Sequence, residues 1–294
     1  MDGSEARVGR RLEQLLLSAS GKRRTLAAAL AVLTILAGAL AAQMRGRGGE
    51  NVWARYEHEM QDPVNDPPDA GRKGEFTIGR LRYRSPLDGR RFGGYKRWGI
   101  DANKGDRLFI GILKRLTRID VTPIETIIDV DSDEIFEVPF LFAVSVGDWE
   151  LSPAQAARLG EYLRRGGFLL VDDFHNDREW ARFMEGIRQM SLGAEPEELY
   201  EDAPSFHILF DLKERIRVPG ANVVHGSGIE RGGVEPHWRA IMDPRGSGRM
   251  MVAISFNQDM GDGWEFADEP EYPERFSAEA IRLGTNYAVY AMTH

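Results

Sequence analysis

The chain has 294 residues, 42% of them hydrophobic and 29% charged, enough for one core of about 200 residues and a small second lobe. Of its 38 basic and 46 acidic residues, six basic and three acidic ones precede position 25; the rest of the chain carries 32 against 43, a net charge of −11 that repels nucleic acid and anionic lipid surfaces. Cysteine is absent, which excludes disulfides, a thiolate nucleophile, a lipoprotein anchor and cysteine-ligated zinc.

Residues 1–45 read as a targeting segment. Lys22-Arg23-Arg24 precedes Leu26 to Ala42, an unbroken run of 17 apolar and small residues in which Thr34 is the only hydroxyl, and Ala39-Leu40-Ala41 fits a small-x-small cleavage site. Seventeen residues is the lower edge of the roughly 17–25 that span a bilayer. Two readings stay open, a cleaved signal peptide and a retained N-terminal membrane anchor; in both, the basic end stays in the cytoplasm and the body is exported to the periplasm or cell envelope. Residues 46–74, rich in Gly, Pro and charge, read as a linker, with Trp53 and Tyr56 as possible points of order.

From residue 75 to 294 the pattern alternates between strand and helix. Residues 76–83 are strand-like, and 105–118 place Leu108, Ile112 and Leu116 at helical spacing. Residues 138–146 form a continuous apolar run, as in a strand covered on both faces. A helix is predicted over 152–165, with Ser152 as N-cap, Pro153 at the first turn, Gln155 completing a capping box and Gly166-Gly167 ending it. Residues 168–173 make the next buried strand, and Asn176 caps a further helix. Residues 191–248 are less regular and read as an insertion. Residues 249–257 return to a strand, 257–274 read as a long acidic loop, and Ser277 opens the last helix. The alternation predicts an α/β fold with a doubly wound, mostly parallel sheet.

In such sheets ligands bind beyond the carboxyl ends of the strands. Asp172, Asp173 and His175 stand just past one strand; Asn257, Asp259, Asp262, Trp264 and Glu265 stand just past another. If those strands are neighbours, the two groups converge on the rim of one crevice. They then suit a hard divalent cation (Ca²⁺, Mg²⁺ or Mn²⁺) or a general base toward water. Plainer readings stand beside this one. Asp173 can serve only as a helix-start acceptor and His175 as a packed loop residue. A loop with seven acids and no base is ordinarily solvated, although Trp264 and Tyr272 suggest that it docks against something. His207, His225 and His237 lack ligand spacing and read as structural. No P-loop, G-x-G-x-x-G, H-E-x-x-H or G-x-S-x-G is present, and Ser145, at a strand end, has no elbow glycines.

The stretches LSPAQAARLGEYLRRGGFLLVDDF (151–174) and MVAISFNQDMGDGWEFADEPEYPERFSAEAIRLGTNYAVYAMTH (251–294) resemble the bacterial family called domain of unknown function 4159, from about Phe76 to the end. Val138-Pro139-Phe140 and Ala203-Pro204-Ser205-Phe206-His207 are similar to family stretches too, with Ala203 where a histidine is usual. The resemblance implies a fold like the class I glutamine amidotransferases, and trehalose-utilisation proteins share a similar Gly-Gly-strand-His stretch. Without cysteine, glutamine hydrolysis by that route is excluded, and the family brings no established activity. Three functional expectations follow: a non-catalytic envelope module binding a small molecule or sugar, a metal-assisted hydrolase of a carbohydrate-like substrate, or a scaffold docking membrane-protein partners through the acidic loop.

Overall fold

A computed structural model describes residues 56–88 and 94–294. The targeting segment and the first part of the linker, including Trp53, lie outside the described residues. Among the described residues no helix is long and apolar enough to cross a membrane.

The continuous apolar runs become the centre of a sheet. Its strands are β1 (Ile78–Arg82), β2 (Thr126–Asp129), β3 (Phe140–Val144), β4 (Phe168–Phe174), β5 (Glu197–Glu198), β6 (His237–Met242) and β7 (Met250–Phe256). Every residue of β3, β4 and β7 is buried, as expected of parallel strands covered on both faces. The order is β2-β1-β3-β4-β7-β6-β5; the first five strands are parallel, and β6 and β5 add an antiparallel flank. Because β1 has β2 on one side and β3 on the other, the strand order reverses between β1 and β3.

Among the described residues five α-helices complete the layers: α1 (Lys104–Leu116), α2 (Pro153–Arg164), α3 (Asn176–Gln189), α4 (Met260–Glu265) and α5 (Glu274–Thr293). The period of two splits each strand between two cores. Leu141, Leu169, Val171 and Ile254 pack with Leu159 and Leu163 of α2 and with Phe183 and Ile187 of α3. Phe140, Phe142, Leu170 and Ala253 pack with Phe109 and Leu113 of α1 and with Leu283 and Tyr287 of α5. The capping box of α2 forms as expected: Gln155 N–H donates to Ser152 Oγ at 3.3 Å and Ser152 N–H donates to Gln155 Oε1 at 2.9 Å. Ser152→Ala is expected to cost about 1 kcal/mol, read as a lowered urea midpoint at unchanged slope.

Four expectations change. The stretch read as linker joins the domain from Tyr56 onward: Tyr56 and Met60 are buried, and Glu59 accepts two bonds from Arg82 and one from Trp98 Nε1. The insertion 191–248 supplies β5 and β6, so it extends the sheet. The acidic loop contains the helix α4. The last helix begins at Glu274, three residues before Ser277.

Candidate functional site

The strand β4 ends in a bulge. Leu169, Leu170 and Val171 pair with Val252, Ala253 and Ile254, and pairing resumes only between Phe174 and Phe256. Asp173 sits in the interruption with φ 52°, in the left-handed region. The two adjacent aspartates therefore face different company. Asp172 Oδ2 accepts the N–H of Gly261 in the first turn of α4 at 2.8 Å. Asp173 instead accepts from Ser145 Oγ at 2.6 Å and from Arg231 Nη2 at 2.7 Å, and its Oδ1 lies 3.3 Å from His175 Nε2.

Arg231 organises the first group. Its guanidinium also faces Glu179 at 3.3 Å and Glu230 at 3.4 Å, and His175 Nε2 lies 3.8 Å from Glu230. Burial alone would raise the Asp173 carboxyl, but Arg231, His175 and Ser145 outweigh it and hold it well below the usual carboxylate range. Burial pushes Glu230 up to about 7, helped by the charge of Asp173. His175 is lowered by its burial, only partly opposed by Asp173.

A second group lies beside the first and contains acids alone. One oxygen each from Asp101, Asp262 and Glu265 lies within 4.8 Å of the others. Asp259 caps α4 by accepting the N–H of Asp262 at 2.8 Å, and Asp262 Oδ2 accepts the N–H of Ala221 at 2.6 Å. Burial raises Asp101, Asp172 and Asp259 well above the ordinary aspartate value, with repulsion from Asp262 next for Asp101 and Asp259. Asp262 rises to about 6 and Glu265 to about 7, chiefly through burial. Gly220 lies between the two groups: a Cβ there would meet the end of the Glu230 side chain and come within 3.1 Å of Asp259 Oδ2, so a larger residue would have to push the Glu230 carboxylate aside.

Residues 218–221 and Glu230-Arg231 pack against parts of both groups: Ala221 holds Asp262 and Arg231 holds Asp173. Val218 C=O accepts from Asp259 N–H at 2.9 Å and Pro219 C=O from Tyr272 Oη at 2.7 Å. Asp172, Asp173, His175, Asp259 and Glu265 are all buried. This departs from the open acidic rim expected from the sequence. A pocket of about 490 Å³ does open nearby, lined by Asn176, Asp177, Trp180, Glu235, His237 and Arg239 among others, and Asn257 reaches it. None of the buried acids lines that pocket.

Asp172, Asp173 and His175 thus come together with Asp259, Asp262 and Glu265 at one edge of the sheet. Asn257 ties the two loops, accepting from Asn176 N–H at 2.9 Å and donating to Glu235 C=O at 2.6 Å. Trp264 lies beneath, in the core, stacked on Phe109 at 4.2 Å. Four residues of the site were not singled out from the sequence, Asp101, Glu179, Glu230 and Arg231; the Glu-Arg pair before Gly232-Gly233 is a turn-bound charge pair that offered some signal, and Asp101 offered none. Asp101, Ser145, Asp173, Asn176, Arg231 and Asn257 all take positive φ, six of the seven such non-glycine residues described. Strain concentrated in this way marks a place where the surroundings dictate the backbone.

The family described as "Domain of unknown function (DUF4159)" matches residues 77–292. No curated protein matches the chain.

Proposed function

This chain belongs to the domain of unknown function 4159 family, and we propose that it is an exported envelope module that binds a polar, sugar-like ligand without transforming it, on an amidotransferase-like sheet. The reading rests on the 490 Å³ pocket beyond β4 and β7, where carboxylates (Asp177, Glu235), an amide (Asn176), an imidazole (His237) and a guanidinium (Arg239) stand among aromatic edges. Such a mixture of fixed donors and acceptors suits a polyhydroxylated molecule. The position beyond the carboxyl ends of the strands supports it as well. A non-catalytic role is supported by the absence of cysteine and by Ser145, whose hydroxyl donates to Asp173, a carboxylate that Arg231 and its other partners make too weak a base to take the proton.

Asp177 and Glu235 are exposed, so their truncation should leave the fold intact. Titrating the full-length protein calorimetrically with a panel of mono- and oligosaccharides is expected to find a binder. Asp177→Ala and Glu235→Ala should each weaken it about tenfold or more, the worth of a hydrogen bond to a charged group, roughly 1.5–3 kcal/mol. A binder indifferent to both substitutions, or no binder in the panel, would overturn the reading.

The hydrolytic alternative draws support from Asp173 and His175 standing 3.3 Å apart, but both are buried, and Arg231 and Glu230 stand against them. The scaffold alternative loses Asp259 and Glu265 to the interior, has Asp262 half-buried, and keeps Asp268, Glu269, Glu271 and Glu274 at the surface.

A further inference from the structure

We propose that Asp101, Asp262 and Glu265 hold a Ca²⁺ ion beside the helix α4. This goes beyond the ligand-binding reading and stands whether or not that reading does.

The two neighbouring groups differ in how their charge is met. Asp173, Glu179 and Glu230 share Arg231. Asp101, Asp172, Asp259, Asp262 and Glu265 have no ion-pair partner among the described residues. The two cations whose charge reaches Asp101 and Glu265 are ion-paired elsewhere. Arg80 is fully buried and clamped on Asp106 by two bonds of 3.0 and 2.9 Å, and Lys104 binds Asp268 and Glu269 at the surface. Uncompensated buried carboxylates are costly, so a site holding several of them needs either shared protons or a bound cation.

Asp101 points to the second. It is 1% exposed, and no hydrogen-bond donor other than a neighbouring carboxyl reaches either of its oxygens. It is aimed at Asp262 and Glu265, with ligand atoms inside a 4.8 Å sphere of separation. Asp172 Oδ1 and Glu265 Oε2 are also left without donors. By contrast, the second oxygen of Asp262 is held by Ala221 and one oxygen of Asp172 by Gly261, so backbone amides orient the acids without neutralising them. An all-oxygen set selects a hard cation. Mg²⁺ keeps several of its waters, whereas Ca²⁺ accepts a cage of carboxylates at variable angles, which matches a set in which Asp101 and Glu265 are buried.

The test uses the full-length protein dialysed against EDTA at pH 7.5 and then given Ca²⁺, Mg²⁺ or Mn²⁺. Calcium at about 100 times its Kd should raise Tm by roughly 5–10 °C. Elemental analysis should find about one calcium per chain after desalting. Asp101→Asn and Glu265→Gln, which keep shape and remove charge, should each abolish the rise, while Asp177→Ala in the neighbouring pocket keeps it. Saccharide binding is measured separately, so failure of one proposal is distinguishable from failure of the other. Four outcomes overturn the calcium site: no rise with Ca²⁺, a rise with Mg²⁺ or Mn²⁺ alone, a calcium rise that survives both substitutions, or EDTA-treated Asp101→Asn outlasting a parent that ignores metal. The parent's own titration decides the matter should a variant fail to fold.

Discussion

Arg231→Met is expected to lower the unfolding free energy by about 3–5 kcal/mol at pH 7.5, the cost of stranding buried charges by removing their partner. For a domain of this size that is a fall in Tm of roughly 6–20 °C. Arg231 is the common cation of Asp173, Glu179 and Glu230, and its Nη2 also donates to the Asp173 carbonyl at 2.9 Å. The pH dependence follows from the direction of the shift. Asp173 is held below its ordinary value, so its contribution is present above the unfolded value near 3.9 and is lost as pH falls through the depressed folded value. In the variant, Asp173 loses its partner and its carboxyl rises, while Glu230, already near 7 with Arg231 present, rises further. Protonation then relieves the variant as the solution is acidified, so its deficit should shrink from pH 7.5 to pH 5. Chemical denaturation at those two pH values measures it. A deficit equal at both would assign the effect to packing, and Arg231→Lys, which restores charge without the planar fork, should recover only part.

Trp264→Ala is expected to cost about 3–5 kcal/mol, the usual result of removing a fully enclosed indole. The ring is 1% exposed, stacks on Phe109, meets Phe142 at 4.8 Å and donates from Nε1 to Ala280 C=O at 3.0 Å. It also fills the space above Gly284, where a Cβ would stand 2.7 Å from the indole. Trp264 is the anchor of α4, so the substitution should loosen Asp262 and Glu265 with it. Urea denaturation checks the size of the loss; the calcium-dependent rise in Tm, measured on the same variant, should fall with it. A cost below about 1 kcal/mol would mean that α4 does not depend on this contact.

The sequence announces an element when its local signals agree with its final environment. The helix α2 has cap, proline and closing glycines in register, and β4 is a short apolar run that is buried on both faces. Of the acids of 257–274, Asp268, Glu269, Glu271 and Glu274 meet solvent as their density argues, while Asp259, Asp262 and Glu265 turn inward; nothing local shows that α4 will form there or that Asp172 will accept from its first turn. The strand β6 escaped notice for a related reason: Trp238 and Ala240 do alternate with half-buried neighbours, but Gly and Pro crowd its approaches. The strand β2 is only four residues long, too few to show a period. The convergence of Asp172 with Asp259 and Asp262 was legible, since it needed only two strands to be adjacent. The arrival of Asp101 was not, because one aspartate among 46 acidic residues carries no mark of the helix it will meet.

The sheet stops, on one side, at β5, two residues long and made of Glu197 and Glu198. Glu198 is engaged by Arg239 at 2.9 Å and by His237 at 3.1 Å, which pins its carboxylate across the neighbouring strand. A second molecule offering a strand to that border finds little unpaired backbone and two acidic side chains, the arrangement that discourages edge-to-edge growth. Many copies held close together can therefore coexist without zipping into a continuous ribbon through this flank, and replacing Glu197 and Glu198 by valine and threonine is the change that would invite fibres.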